Sequence, residues 1–579
     1  MASTLKNNNA GNIMRKTIFI TLCALSINGS WAQELPKWAK KAKKAVFSVI
    51  TYNTDNKILN TGNGFYIDSD GTGVSDYSIF KGAHRAVVVT AEGKELPVTL
   101  ILGANDIYDV VRFKTEATKK QEYLSTATVP GKENDRVYVM PYSTQSSVKG
   151  ATGTIQNVDS IGNNSFYYTI SISTGAKDVS CPLMNEDGEV IGMIQRNSDS
   201  KDNKSYALGI DYAKNLSVNA LSGNDATLKS IKIKKGLPED ESQALVFLYI
   251  MSSQLDAEEY LSLLNDFTDM YPNNMEGYIR RATYYMDKNS DESVSTVEDN
   301  LKRTVDVAEN KSDAHYSIAK LIYNYCVSNA KKPEKADWTL RRALDEINQA
   351  IAVSGEGLYY QVQGDIYFAM KDYSKAATAY ENVCKTPLSS ASAYYAVAKA
   401  KELVEDTDKR EIIALMDSAV AYFNTPYGKD ASLYLFERAR IKSDAKMYKE
   451  AVMDYNSFYD AMLGQVSAEF YVIRQQAEMQ CHMYQQAIND INKAVELEPS
   501  NIGYWTEKGG VHIRLNQIEE AIAALEKAVS LDYGNADALR MLGYCQIKVK
   551  DKKRGLENLY KAKELGDTVA EDLIKRYAR

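Results

Sequence analysis

The histidines and cysteines, which bind zinc or exchange protons near neutral pH, are few in this chain. Its 579 residues include only four histidines, His84, His315, His482 and His512, and no two of them have the spacing of metal ligands. There is no CxxC pair, and an odd number of cysteines follows Cys23. We therefore predict no metal site, no cofactor and no complete set of disulfide bonds.

The nucleophiles and bases of the first part of the chain are separated in sequence. His84 is the only histidine there, whereas Ser180 and Cys181 stand side by side before Pro182. Hydrolysis by a hydroxyl or thiol needs a base within hydrogen-bond reach and backbone donors for the oxyanion. These residues could form a hydrolytic site only if the fold brought them together.

Short strand patterns fill this part of the chain. Residues 46–52, 86–90, 137–140, 165–170 and 190–194 are rich in β-branched and aromatic side chains. Turns rich in glycine, aspartate and asparagine separate them. Many short strands joined by such turns predict an antiparallel barrel or sandwich.

Three landmarks of this region resemble trypsin-like proteases of the HtrA/Deg group. After a glycine-rich strand and turn, Ser78 stands at the histidine position of the T-N-x-H-V-V segment, and Asp109 matches the aspartate of D-L-A-x-L-K. In these proteases the nucleophile loop reads G-N-S-G-G-P-L-x-N-x-D-G-E-V-I-G, and residues 182–192 of this chain match its last part. This match puts Val179 at the position of the nucleophilic serine. The resemblance implies a trypsin-like antiparallel double β-barrel over residues 45–222.

The same resemblance implies that the catalytic residues are degenerate. Valine has no lone pair to attack a carbonyl, and serine cannot act as a base near neutral pH. Ser180 and Cys181 replace two glycines of the loop that presents the oxyanion donors. His84 as a displaced base, and Ser180 or Cys181 as a displaced nucleophile, are the alternatives. We predict no peptidase activity and a structural role for Asp109 as a hydrogen-bond acceptor.

The C-terminal part of the sequence repeats every 34 positions. Ala487, Ala521 and Gly555 share one column of the repeat, and Gly509 and Gly543 share another. Two antiparallel helices and two turns take about 34 residues. Because small residues are needed where two helices cross closely, the spacing predicts tandem helical hairpins.

This pattern resembles the tetratricopeptide repeat (TPR), W-x2-L-G-x2-Y…A-x3-F…A…P. The resemblance implies an all-α TPR solenoid of about eight to ten units over residues 240–579, with a concave groove formed mainly by the first helix of each unit. The candidate groove residues are Gln476, Gln480, Thr506, Gly510, Arg514, Arg540, Tyr544 and Lys548. Their basic members favour an acidic or carboxylate-bearing protein or peptide.

The N-terminus has the pattern of an export signal. Residues 14–16 are Met-Arg-Lys, residues 17–25 are apolar but too few to span a bilayer, and residues 30–32 form a small-x-small cleavage pattern. We predict a signal peptide over residues 1–32, with translation starting at Met14, and a periplasmic or secreted bacterial protein.

Two short segments flank the strand-rich region, and the chain has a net negative charge. Residues 33–44 are lysine-rich and are predicted to form a basic lead-in helix, and residues 223–239 are predicted to be a linker. The net charge of −7 argues against a nucleic-acid partner. No later segment approaches the length of a membrane-spanning helix, so we predict none in the mature chain.

Two functions of different class follow from these patterns. The first is an exported protein–protein interaction scaffold, in which the TPR groove binds a partner and the inactive trypsin-like domain gives a second binding surface. The alternative is a serine- or cysteine-type peptidase with a rearranged active site, to which the repeats deliver substrate. A general periplasmic chaperone or assembly factor differs from the first only in the breadth of its partners.

Overall fold

The computed structural model describes residues 35–116, 121–147, 150–162, 165–197, 204–288, 293–330 and 338–578. The chain divides at Tyr284 and Tyr285 into two compact units. The signal peptide predicted over residues 1–32 lies outside the described residues.

The lysine-rich entry segment forms a short helix, α1 (Ala39–Ala42), and then a 3-10 turn. Ala39, Ala42 and Ala45 are buried in the core of the first unit, while the lysines between them point toward solvent. Alanines at every third position thus give this basic segment one apolar face, which fixes it to the strands that follow.

The first six strands close into a barrel. They are β1 (Val46–Tyr52), β2 (Ile58–Tyr66), β3 (Thr72–Ser75), β4 (Arg85–Val89), β5 (Glu95–Asn105) and β6 (Val110–Thr115), with helix α2 (Tyr77–Phe80) after β3. Their order around the barrel is β1-β2-β3-β6-β5-β4, and β4 pairs with β1 to complete it. Phe47, Phe65 and Phe113 fill the interior.

Six more strands close into a second barrel. They are β7 (Arg136–Val139), β8 (Ala151–Ile161), β9 (Ser165–Ile170), β10 (Pro182–Met184), β11 (Val190–Ile194) and β12 (Ser205–Gly209). Their order is β10-β11-β12-β9-β8-β7, and β10 pairs with β7. All the paired strands of both barrels are antiparallel, which confirms the predicted antiparallel double β-barrel.

The segment predicted as a linker packs against the first barrel. After α3 (Ile210–Asn215) and α4 (Ala226–Ser230) the chain runs extended over residues 231–236, here called the strap. Ile231 and Ile233 are buried in the core of the first unit. Alternating isoleucines and lysines give the strap a strand-like period of two.

Backbone hydrogen bonds hold the strap beside β5. The amide of Ile101 donates to the carbonyl of Lys234 at 2.8 Å, and the amide of Gly236 donates to the carbonyl of Ile101 at 2.9 Å. The strap therefore adds an extended segment to this side of the barrel.

From residue 240 onward the described residues form helices and no strand. Those of the first unit are α5 (Glu241–Met251), α6 (Ala257–Met270) and α7 (Met275–Lys288), the last of which contains the division between the units. Those of the second unit are α8 (Ser293–Val307), α9 (Lys311–Ser328), α10 (Leu340–Val353), α11 (Gly357–Ala369), α12 (Tyr373–Cys384), α13 (Ala391–Glu402), α14 (Lys409–Val420), α15 (Ser432–Asp444), α16 (Tyr448–Ala461), α17 (Ala468–Gln480), α18 (Tyr484–Leu497), α19 (Ile502–Arg514), α20 (Ile518–Leu531), α21 (Ala536–Lys548), α22 (Lys552–Glu564) and α23 (Thr568–Tyr577). The all-α repeat region is thus confirmed.

Small residues stand where paired helices cross, as the repeat spacing predicts. A Cβ atom added to Gly509 of α19 would lie 2.5 Å from Cγ of Leu525 in α20. One added to Gly543 of α21 would lie 2.7 Å from the carbonyl oxygen of Gly555 in α22. These approaches are closer than any side chain allows, so glycine determines how tightly each hairpin closes.

Most of the clearest hairpins share the same turn between their helices. The first helix ends just before a residue with a left-handed backbone, namely Lys371, Lys446, His482, Asn516 and Lys550. This conformation reverses the chain within about two residues, and glycine is the residue usually found there. The turn therefore recurs with the repeat although no glycine marks it in the sequence.

Candidate functional site

Ser78 and Asp109 meet at the edge of the first barrel. Ser78 lies in α2, directly after β3, and Asp109 lies in the turn before β6. The backbone amide of Ser78 donates to Oδ1 of Asp109 at 2.6 Å, and its hydroxyl donates to Oδ2 at 3.0 Å. The structure thus brings together the two residues that the motif alignment placed at the base and aspartate positions, as a hydroxyl–carboxylate pair.

The loop containing Val179 lies beside the first barrel. Nδ2 of Asn63, on β2, donates to the carbonyl of Lys177 at 2.8 Å and to that of Val179 at 3.1 Å. Val179 itself is buried and offers only methyl groups. One side chain of the first barrel therefore fixes the backbone of the loop that precedes β10 in the second.

Ser180 follows Val179 in a left-handed backbone conformation, with φ of 62°. Its amide donates to the carbonyl of Ile194 at 2.9 Å. The residue has 0% of its surface exposed. Within the described part of the chain its hydroxyl has no hydrogen-bond partner. A hydroxyl enclosed in this way cannot reach a substrate without a rearrangement of the loop.

Asp76, which the motif alignment did not single out, lies close to Ser180. It precedes α2, is 1% exposed, and neither carboxylate oxygen has a hydrogen-bond partner among the described residues. Burial raises the pKa of Asp76 to about 7, the nearby Ser180 hydroxyl opposes this rise, and the charges of Asp109 and Arg196 have smaller effects, which raise and lower the pKa respectively. The only sequence signal was an acidic residue directly after a strand of buried residues.

Neither Cys181 nor His84 is hydrogen-bonded to the Ser78–Asp109 pair in the described residues. Cys181 is fully buried, with Sγ 3.6 Å from the carbonyl of Lys177, and burial raises the pKa of its thiol well above the usual range. His84 is exposed, and its Nε2 lies 3.3 Å from Oγ1 of Thr54. In the described ranges no hydrogen bond joins His84 to either member of the pair.

The helical region distributes the candidate groove residues over three first helices, α17, α19 and α21. Gln476, Gln480, Arg514 and Lys548 are exposed, Thr506, Arg540 and Tyr544 are half-buried, and Gly510 is buried. The exposed members therefore include two cations and two amides that a partner could reach.

The three basic members of this set differ in their surroundings. Nε of Arg540 lies 2.7 Å from Oδ2 of Asp567, and the same guanidinium also pairs with Asp537. Nζ of Lys548 lies over the ring of Tyr544, 5.4 Å from its centre. Arg514 makes no ion pair within the described residues. Arg514 and Lys548 are therefore more available to an external carboxylate than Arg540 is.

The described residues contain no group of three or more histidine, cysteine, aspartate or glutamate side chains placed to hold a metal ion. None of their helices is long and apolar enough to cross a membrane.

Two family models match the chain. The model of the trypsin-like peptidase domain matches residues 62–193, within the two barrels. The model of the tetratricopeptide repeat matches residues 502–535, which hold α19 and α20. These matches confirm both resemblances predicted from the motifs.

Short stretches also match curated proteins. The chain is 35% identical to the protein SGT1 homolog of Oryza sativa subsp. japonica over 85 residues, which are 15% of this chain and 23% of that protein. It is 30% identical to sperm-associated antigen 1 of Rattus norvegicus over 118 residues, which are 20% of this chain and 13% of that protein. The chain thus spans less than a quarter of either relative. Together with the family matches, the fold shows that this chain combines a trypsin-like peptidase domain with tetratricopeptide repeats.

Proposed function

We propose that this protein is an exported scaffold that binds a protein partner through its TPR groove. In this proposal the trypsin-like domain has no peptidase activity and offers a second binding surface. The combination of the two domains supports protein–protein interaction as the general role.

The Ser78–Asp109 pair is the observation that carries the proposal of inactivity. In a catalytic triad the aspartate orients a base, which in turn takes a proton from the nucleophile. Here both oxygens of Asp109 accept hydrogen bonds from Ser78, which has no basic atom at neutral pH. Val179 supplies no nucleophile, and the neighbouring Ser180 and Cys181 are enclosed. No proton-transfer chain of this type can be drawn through these residues.

Activity-based labelling tests the alternative of a rearranged peptidase. The native chain is treated with a fluorophosphonate probe and with a thiol-reactive probe, and the labelled residue is identified by mass spectrometry. We expect no labelling at Ser180 or Cys181 before the chain unfolds, because both side chains are buried. Labelling that disappears in Ser180→Ala or Cys181→Ala would establish a nucleophile and overturn the proposal.

The groove proposal rests on Arg514 and Lys548. Both are exposed on first helices of successive units, and the guanidinium of Arg514 has no intramolecular anion within the described residues. A partner with carboxylate groups would gain charge-assisted hydrogen bonds from both. Arg540 contributes less, since Asp537 and Asp567 already neutralise it.

A charge-reversal experiment tests this assignment. Crosslinking and affinity recovery from the native envelope compare the wild-type chain with the double variant Arg514→Glu, Lys548→Glu. We expect recovery of a discrete partner to fall at least tenfold in the variant and to weaken with added salt for the wild type. Lys527→Glu with Lys553→Glu changes the same charge on exposed second-helix positions and is the matched control. Equal loss in both variants, or in neither, would remove the groove assignment.

Export is supported by the sequence pattern of residues 14–32 and is tested separately. We expect mass spectrometry of the protein from its native cells to find a mature N-terminus at Gln33. A chain that keeps residues 14–32 would contradict export by this signal while leaving the groove proposal intact.

A further inference from the structure

Two successive repeat units bury the same kind of charged cluster, with one difference. In the first, Asp454 of α16 accepts hydrogen bonds from Nε of Arg438 at 2.9 Å and from its Nη2 at 2.6 Å. Nζ of Lys442, one turn further along α15, donates to the same carboxylate at 2.8 Å. One buried anion is thus surrounded by two cations.

The equivalent positions lie 36 residues later, in α17 and α18. Arg474 replaces Arg438 and donates from Nε and Nη2 to Asp490, at 2.7 and 2.8 Å. Glu478 stands where Lys442 stood. A carboxyl group therefore takes the place of an ammonium group, and the second cluster has two acids and one cation.

The carboxyl group of Glu478 has no hydrogen-bond partner in this cluster. It is 3% exposed, and Oε2 has no hydrogen-bond partner among the described residues. Nε of Arg474 is 3.9 Å from its Oε1, too far for a hydrogen bond, because the guanidinium is directed at Asp490. Gln475, one turn earlier, is 0% exposed and both atoms of its amide are also unpartnered. The inner face of α17 thus carries several uncompensated polar atoms.

The groups around Glu478 favour its neutral form. Asp490 of α18 faces it with a negative charge, and Arg474 is the one cation of the cluster. From α16, the ring of Tyr459 and Oδ1 of Asn456 contact Arg474 rather than Glu478. Burial, and then the charge of Asp490, raise the pKa of Glu478 to about 8, against a smaller opposite effect of Arg474.

We propose that the α17–α18 hairpin is a proton-dependent joint, in which a neutral Glu478 carboxyl lets the two helices pack and its ionisation loosens them. The geometry of the charge-reversed cluster and its unpartnered atoms carries this inference. It goes beyond the scaffold function and does not depend on it. Gln476 and Gln480 lie on the outer face of the same helix, so loosening would also move two groove candidates.

The sign of the effect follows from linkage. The pKa of Glu478 is raised from its ordinary 4.5 to about 8, so the packed hairpin binds a proton that the opened hairpin releases between these values. The stabilising contribution is complete below pH 4.5 and is lost as pH rises through 8.

Hydrogen exchange on the full chain tests the joint. Amide protection in α17 and α18, corrected for the intrinsic effect of pH, is compared between pH 6 and pH 9. In the wild type, we expect the protection of α17 and α18 to fall roughly tenfold or more from pH 6 to pH 9. The protection of α15 and α16 should fall much less, because two cations neutralise Asp454 there. Glu478→Gln keeps the shape of the side chain without the charge. In this variant the amide protection of α17 and α18 should therefore be independent of pH.

Two further variants complete the test. Glu478→Lys supplies the cation that the preceding cluster has, and we expect pH-independent protection at least as high as that of the wild type at pH 6. Glu469→Gln removes an exposed acid from the same helix and should keep the wild-type pH dependence. Unchanged protection in the wild type across this range, or an undiminished fall in Glu478→Gln, would overturn the proposal.

Discussion

Asp76 is a carboxylic acid enclosed beside the pair that the motif alignment identified. Its two oxygens have no donor within the described residues, and the charge of Asp109 opposes its ionisation. The ionised form of such a buried acid is higher in free energy than its neutral form, because no donor among the described residues stabilises the charge. The region around Ser78 therefore has a charge that depends on the protonation of Asp76.

The Asp76→Asn variant tests this assignment. Because the folded-state pKa is raised from 3.8 to about 7, the stabilising contribution is complete below pH 3.8 and is lost as pH rises through 7. We expect Asp76→Asn to stabilise the first unit by about 4 kcal/mol at pH 8 and by about 1–2 kcal/mol at pH 5. Hydrogen exchange of β3 and β6 in the full chain measures both.

Glu122→Gln is the control for this prediction. It removes an exposed acid from the same unit, and we expect no change in exchange of β3 or β6 at either pH. If Asp76→Asn destabilised β3 equally at pH 5 and pH 8, the carboxylate would be a needed acceptor, and the assignment of a neutral acid would be wrong.

Sequence reasoning reached some of these residues and not others. The alignment of Ser78 with Asp109 came from motifs of fixed spacing, and the two side chains do meet. Asp76 and Ser180 approach each other only because two barrels bring distant segments together. The neutralisation of Arg540 by Asp567 depends on a helix that begins 20 residues after its own helix ends. Such partners are set by tertiary packing, which local spacing does not encode.

At the scale of elements, the glycines of the helical hairpins determine the approach of paired helices. We expect Gly543→Ala to cost about 1–3 kcal/mol, because the new Cβ meets the backbone of Gly555, which cannot turn away. Gly509→Ala should cost less, since the group it meets is the side chain of Leu525. Urea denaturation followed by circular dichroism of the full chain measures the free energies of unfolding.

Gly503 supplies the control within the same helix as Gly509. A Cβ there lies 3.3 Å from one oxygen of Asn501 and meets no other atom within 4 Å. Gly503→Ala should therefore be neutral or should stabilise by up to about 1 kcal/mol, the difference in helix propensity. If all three substitutions were stabilising, close helix crossing would not be the role of these glycines.

The elements themselves were largely predictable from the sequence pattern. Runs of β-branched and aromatic residues between turns predicted the strands of residues 45–222, and the 34-residue columns predicted the hairpins. The left-handed turn at Lys446 was not predictable, because lysine does not favour that conformation. Here the packing of two helices outweighs the local preference of the chain.

At the scale of the whole molecule, the segment after the barrels, predicted to be a linker, packs against the first barrel. Residues 223–239 are rich in lysine, which is typical of a solvated connection, yet Ile231 and Ile233 are buried. Lysine stems and isoleucines alternate there, so the charge count concealed an apolar face. The apolar positions at a period of two indicate better than the charge that this segment packs against the barrel.

The strap has a practical consequence for handling the protein. Trypsin cleaves after lysine but must draw several residues of extended chain into its own active site, and the strap already has its backbone bonded to β5. We expect limited digestion to cut after Lys57 or Lys132, in exposed turns, well before Lys232. Early cleavage after Lys232 would show instead that the strap detaches readily. A fragment meant to hold the intact barrels should accordingly extend through Gly236.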